Sequence, residues 1–328
     1  MREEKPIKQA RLSTIVTTLF DEQLKVWETC GRNYANLAFA ESKEYSIAGE
    51  KYILQQNPAR IASTAAKIDS LSIAKRPCFL CDKNRPAKQL SLPFAGYKVL
   101  VNPYPVFSRH FTIVSRCHQS QSILENFSDM LELTASFGKD YFVFYNGPRA
   151  GASAPDHLHF QAGTRAEMPL LNPRKVLRSK SFAECRVEGT TLLYFPEDGI
   201  RRFIVMEGVE KSSLEKTFKY IYKEYAKLSG SGSEEPMLNI IMTCSQSGPG
   251  FRVIIIPRAK HRPNAFFAKP PEQVVFSPAA ADLAGLCIIP LKEDFDKLTG
   301  KQLSRMIREV CLSNENFREL MDTICAGY

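Results

Sequence analysis

The stretch Asn146-Gly147-Pro148-Arg149-Ala150-Gly151-Ala152-Ser153-Ala154-Pro155-Asp156-His157-Leu158-His159-Phe160-Gln161 joins a turn of small residues to an alternating polar and apolar run. Read as a strand, HLHFQ has a period of two that sets His157, His159 and Gln161 on one face and Leu158, Phe160 and Ala162 against a core. The glycine- and serine-containing turn before it is suited to offer backbone N–H groups and the Ser153 hydroxyl to an anion. An imidazole beside such a cradle is equipped for attack on phosphorus, because it is a good neutral nucleophile near pH 7 and a good leaving group afterwards. The plainer alternative is a pair of surface histidines on a strand after a glycine loop. Of the chain's 5 histidines, His110, His118, His157 and His159 crowd into this part of the sequence.

Working outward, the runs YKVLVN (97–102), FTIVS (111–115) and DYFVFYN (140–146) read as short strands with turn residues between them. A helix over 121–137 separates the last two, its stripe made by Ile123, Leu124, Phe127, Met130 and Leu131. That order is most simply packed as a sheet backed by a helix. After about residue 190 the mixture returns as TTLLYF, RRFIVMEG, a helix from about 212, MLNIIMT and FRVIIIPR. The repeat suggests an internal duplication. SGSGSEEP (229–236) is small and polar and reads as a flexible loop, and the tail from about 292 reads as helical. The expected fold class is α+β, a mainly antiparallel sheet in two tandem halves flanked by helices. Its units are an N-terminal helical layer (1–76), a first half (77–170) and a second half with C-terminal helices (171–328).

The 328 residues allow roughly two units of ordinary size, and 44% hydrophobic with 24% charged residues is a globular composition that excludes extensive disorder. No window reaches the roughly 18 consecutive apolar residues of a membrane span. The start, MREEKPIKQAR, is charged with both signs and leads to no cleavage site, so no secretory signal is expected. The 9 cysteines, odd in number and scattered, point to reduced thiols and a cytoplasmic location. A net charge of +9 favours an anionic ligand. The basic residues are dispersed and no aromatic-plus-basic RNA motif is present, so the ligand is expected to be a small molecule rather than nucleic acid.

Cys78 and Cys81 are spaced to bind one metal ion with two thiolates, to do redox chemistry, or to be paired by chance. In the basic run Pro257–Pro263, Arg258 lies nearest the strand end and is the expected phosphate contact, whereas Lys260 and Arg262 read as a solvated turn. His110, Arg60 and Lys67 are each open between a pocket role and a structural one.

The string GAS-x-P-D-HLHFQ resembles the signature of the histidine triad superfamily, in the transferase branch whose last motif position is Gln. That branch holds galactose-1-phosphate uridylyltransferase, diadenosine tetraphosphate phosphorylase and the GDP-hexose phosphorylases. The resemblance implies two histidine-triad-like halves, with the catalytic one at 77–170. It also implies that the second histidine, His159, attacks the α-phosphate of a nucleotide, and that the covalent nucleotidyl-histidine is discharged by a phosphate-bearing acceptor. Gln161 would bond the phosphoryl oxygens, with Asn146, Gly151 and Ser153 at the phosphate and His157 completing the pair. Asn102-Pro103-Tyr104-Pro105 with the following HFTIV is similar to the strand region lining the nucleotide pocket. FRVIIIPR (251–258) and FSPAAADLAGLCIIP (276–290) are similar to the C-terminal part of the GDP-hexose phosphorylases.

By the same resemblance Cys78, Cys81, His118 and His157 match the ligands of a structural zinc, which the chemistry itself does not need. A homodimer is likewise an expectation from the family. The implied activity is nucleotidyl transfer or phosphorolysis of a nucleoside diphosphate hexose, releasing hexose 1-phosphate, with phosphate or a sugar phosphate as acceptor. The alternatives are a dinucleoside polyphosphate phosphorylase or hydrolase, and a non-catalytic nucleotide binder. Hydrolases of the superfamily usually carry a third histidine where Gln161 stands.

Overall fold

The strand Tyr141–Asn146 is buried at every position and has two partners, which is why it reads YFVFYN rather than alternating. In this computed structural model residues 12–66, 69–171, 181–187 and 191–328 are described. Their strands are β1 (Ser42–Ile47), β2 (Glu50–Gln56), β3 (Ser91–Phe94), β4 (Tyr97–Val101), β5 (His110–Ser115), β6 (Tyr141–Asn146), β7 (His159–Thr164), β8 (Ser181–Arg186), β9 (Leu192–Pro196), β10 (Ile204–Gly208), β11 (Leu238–Cys244), β12 (Phe251–Pro257) and β13 (Leu286–Ile289). Ten of them form one sheet in the order β3-β4-β5-β7-β6-β11-β12-β10-β9-β8.

Read from either outer edge, that order is the same: first, second, third, fifth and fourth strand of a half. Helix Phe127–Phe137 lies between β5 and β6, and helix Lys211–Leu228 between β10 and β11, so each half carries its helix at the same point. The two helices meet where the rings of Phe127 and Phe218 stack with centroids 4.0 Å apart. The internal duplication read from the sequence is thus visible as topology. The halves are not separate bodies, however. They fuse through the antiparallel pairing of β6 with β11, from Asn239 opposite Asn146 to Thr243 opposite Phe142.

One face of the sheet packs on these helices, on helix Leu12–Val26 and on the last helix, Asn314–Ala326. The other face buries Phe107, Phe142, Phe144, Ile254 and Phe276 beneath the C-terminal segments and helix Gly300–Val310. The N-terminal layer expected to be helical over 1–76 contains a hairpin as well. β1 alternates exposed and half-buried residues, and the turn at Ala48 and Gly49 has positive φ at both positions (52° and 77°). This hairpin forms a second sheet by parallel pairing of β2 with β13, from Leu286 opposite Ile53 to Ile289 opposite Gln56, so two segments far apart in sequence are built together.

Two further expectations are corrected. Cys185 and Cys325, 140 residues apart in sequence, are joined as a disulfide between β8 and the last helix, because the fold brings their Cα atoms to 6.3 Å. The loop 229–236 is anchored rather than free at its end, since Glu235 and Pro236 are buried. Lys67 lies outside the described residues. Among the described residues no helix is long and apolar enough to cross a membrane.

Candidate functional site

β6 ends at Asn146 and β7 begins at His159, side by side in the sheet, and the turn 147–158 loops between them. The turn needs glycine at 151 for two reasons: its φ is +101°, and a Cβ there would come within 2.6 Å of the Ala279 Cβ. Asn102, Asn146, Gly151, Ser153, His159 and Gln161 all line one cavity of about 780 Å³, a size suited to a nucleotide-scale ligand.

The ring of His159 is held in one state. Its Nδ1 lies 2.8 Å from the His157 carbonyl oxygen and so must carry the proton, which leaves the lone pair on Nε2. Burial pushes its pKa down to about 4, so the ring is neutral at pH 7. The strand start is fixed by Gln121, whose Oε1 accepts the His159 N–H at 2.9 Å. Its Nε2 donates to the His159 and Asn146 carbonyls, both at 3.0 Å.

Two carboxamides flank this imidazole, each pinned by its oxygen. His110 Nδ1 accepts the Val106 N–H at 3.3 Å, so its Nε2 is the donor to Gln161 Oε1 at 3.0 Å. Asn146 Oδ1 accepts from the Ala280 N–H at 3.0 Å and from Asn239 Nδ2 at 2.8 Å. In both cases the amide NH₂ is the end left for the cavity, and such donors stabilise charge developing on a phosphoryl oxygen. His110, left open by the sequence, is thereby placed behind Gln161. Burial, followed by the nearby Arg60, lowers its pKa to about 3, so it stays neutral. The Asn102 carboxamide is spent locally, on Thr112 Oγ1 at 3.1 Å and the Tyr104 N–H at 2.9 Å.

His157 does not share the face of His159 and Gln161. It precedes β7 and its ring joins Cys78, Cys81 and His118, whose ligand atoms all lie within 4.8 Å of one another. Sulfur–nitrogen separations are 3.3 Å (Cys78–His157 and Cys81–His118) and 3.5 Å (Cys81–His157), and the two Nδ1 atoms are 3.3 Å apart. A tetrahedral zinc, about 2.3 Å from sulfur and about 2.0–2.1 Å from nitrogen, sets neighbouring ligand atoms about 3.3–3.8 Å apart, so the four donors fit such an ion. His157 Nε2 donates to the Ser115 carbonyl at 2.9 Å, which turns Nδ1 toward the cluster.

The basic run 257–263 is sorted differently from the sequence expectation. Arg258 is 2% exposed and spends all its N–H groups inside the protein. They go to the Val310, Pro278, Lys260 and His261 carbonyls and to Asn239 Oδ1. No donor is left for a substrate, and Arg258 instead orients Asn239 and through it Asn146. His261 and Arg262 line the cavity, as does Arg60, while Lys260 pairs with Glu309 at the surface. Sequence reading missed Gln121, Asn239 and Ala280 because their roles arise from contacts with distant segments and no local pattern marks them. A further tie, Arg76 to Asp156 at 2.6 Å, links the residue before His157 to the helix Ser70–Ala74 region.

Two family models and a set of solved structures match this chain. Residues 19–164 match a family described as a domain of unknown function (DUF4922), and residues 183–328 match the GDPGP1-like C-terminal domain. Among curated proteins none matches the chain by sequence. The fold is similar to that of yeast Ap4A phosphorylase Apa2, at 15% identity over 87% of this chain and 96% of that one, with a TM-score of 0.56. The same yeast enzyme in complex with Ap4A aligns at 16% identity over 90% and 97% of the two chains, with a TM-score of 0.55. The chain therefore has the fold of yeast Ap4A phosphorylase Apa2, and its residues 183–328 match a GDPGP1-like C-terminal domain.

Proposed function

We propose that this protein is a nucleotidyl-transferring phosphorylase acting on a nucleoside diphosphate hexose by two displacements. His159 Nε2 attacks the α-phosphorus, the P–N bond forms, and the P–O bond to the leaving group breaks. Hexose 1-phosphate departs with the electron pair. The ring gains positive charge, which the Nδ1–H bond to the His157 carbonyl disperses. The Gln161 and Asn146 amides face the charge that builds on the phosphoryl oxygens. An oxygen of phosphate or a sugar phosphate then attacks phosphorus and imidazole leaves. The observation that carries this reading is the neutral His159 ring with its free Nε2 set between two amides pinned by their oxygens.

Zinc is the metal that suits Cys78, Cys81, His118 and His157, and four protein ligands close a tetrahedral site, so the ion would have a structural part. It would hold His157, and with it the carbonyl that orients His159. A second donor class, a dinucleoside polyphosphate, is favoured by the likeness to a fold solved with Ap4A.

The test is intact mass after incubation with nucleoside diphosphate hexoses and with Ap4A in phosphate-free buffer, for wild type and His159→Ala. A gain of one nucleoside monophosphate in the wild type only, discharged on adding phosphate, is the expected result. No adduct with any donor, or an adduct that persists in the variant, overturns the reading.

A further inference from the structure

Glu235, at the end of the loop between helix Lys211–Leu228 and β11, is 8% exposed. Its Oε2 accepts the backbone N–H of Ile123 at 2.7 Å and its Oε1 accepts the Tyr145 hydroxyl at 2.8 Å. Its backbone carbonyl accepts from Arg149 at 3.2 Å. Gly147 passes so close that a Cβ there would stand 3.1 Å from Oε1 and 2.8 Å from the Leu238 carbonyl oxygen.

The two segments that Glu235 joins, around Ile123 and around Tyr145–Gly147, are the two that Gln121 also joins. Gln121 binds the Asn146 carbonyl with its Nε2 and holds both backbone polar groups of His159. Glu235 therefore fixes, from the second half of the chain, the span across which Gln121 reaches His159. We propose that Glu235 is a positioning residue for His159, a strut whose charge state sets how firmly the Gln121 bracket is held. The inference rests on the nucleotidyl-transfer reading of His159.

Chemistry makes the strut sensitive to pH. Burial raises the Glu235 carboxyl to about 7, against the pull of the Ile123 and Tyr145 donors. The groups facing it are Tyr145 on β6, Tyr222 on the helix Lys211–Leu228, and Arg149 on the turn, which also pairs with Glu234 at 2.7 Å. A carboxylate serves two donors at once. When Oε1 takes a proton it donates to the Tyr145 oxygen and Oε2 still accepts the Ile123 N–H, but both bonds lose their charge assistance, so the strut holds the two segments less firmly.

The experiment compares wild type, Glu235→Gln and Tyr145→Phe. The rate of nucleotidyl adduct formation is followed from pH 6 to 8, alongside the ¹⁵N resonances of the His159 ring without any substrate. The wild type is expected to lose rate below about pH 7, and its His159 resonances to move with the same midpoint. Glu235→Gln is expected to be slower by on the order of tenfold at pH 8 with a flat profile, and its donor Kd to stay within about threefold of wild type. Removing the hydroxyl donor in Tyr145→Phe is expected to move the midpoint to higher pH. An unchanged limb and rate in Glu235→Gln overturns the proposal. If the wild type forms no adduct, the functional reading fails. The ring resonances then decide the strut alone: a midpoint near 7 that vanishes in Glu235→Gln supports it, and its absence from the wild type overturns it.

Discussion

His110 Nε2 stands 3.0 Å from Gln161 Oε1 while its Nδ1 takes the Val106 N–H, so one buried neutral ring decides which end of the Gln161 amide faces the cavity. The same logic holds Asn146 from the other side, through Ala280 and Asn239. The cavity is thereby lined by preset donors next to a preset lone pair. In the proposed reaction, little reorganisation is then required when charge develops on the phosphoryl oxygens.

Replacing His110 with Ala frees Gln161 to turn its oxygen inward. The expected result is a fall in kcat on the order of 10–100-fold with donor affinity within about threefold of wild type. Steady-state and single-turnover kinetics check this, and an unchanged kcat would show that Gln161 is not oriented by His110.

For the metal cluster, elemental analysis of protein purified without chelator is expected to find one zinc per chain. Cys78→Ser is expected to lose it and to lower Tm by roughly 5 °C or more while activity per folded molecule is largely kept. Zinc-free wild type of full stability would contradict the assignment of Cys78, Cys81, His118 and His157.

Buried histidines set a pH dependence with a definite sign. His159 and His110 have folded pKa values of about 4 and about 3, below the ordinary 6.5, so between these limits the unfolded chain binds protons that the folded one does not. Their stabilisation is complete above pH 6.5 and is lost as pH falls, by about 2 kcal/mol per histidine at pH 5. The raised carboxyls of Glu235 and Asp282 act in the opposite sense, so wild type must be compared with a variant. Denaturant unfolding of His110→Gln at pH 6.5 and 5 is expected to show a loss smaller than that of the wild type by about this amount, and an equal loss would refute it.

Arg258→Ala is expected to cost at least about 3 kcal/mol, since it strands several buried carbonyls and frees Asn239. Arg258→Lys restores little of it because an ammonium cannot reproduce the fork. Donor affinity of the folded fraction is expected to stay near wild type, whereas a selective loss of phosphate binding would return Arg258 to the substrate.

Local periodicity made much of the fold legible. β4, β5 and β6 lie where short β-rich apolar runs put them, and the helix expected over 121–137 forms over Phe127–Phe137 with the tighter turn Leu124–Asn126 before it, because those signals come from neighbours in sequence. The hairpin β1–β2 was readable too, from its alternation and the Ala-Gly turn, but it lay in a segment whose flanks are helical. Strand order was not readable, because pairing β6 with β11 joins residues nearly a hundred apart and no local pattern states a partner.

By itself, the sequence determined the chemical inventory of the site: His159, Gln161, Asn146 and the glycine turn in one cavity, and the two thiols and two imidazoles that converge. Only the tertiary structure decided how each group is presented. The Asn146 oxygen is taken up by residues 93 and 134 positions away, Arg258 is turned inward by carbonyls of other segments, and Glu235 braces the first half from the second. The physical reason is that a residue's type sets which hydrogen bonds it can make, whereas which of them remain free for a ligand depends on partners that only folding supplies.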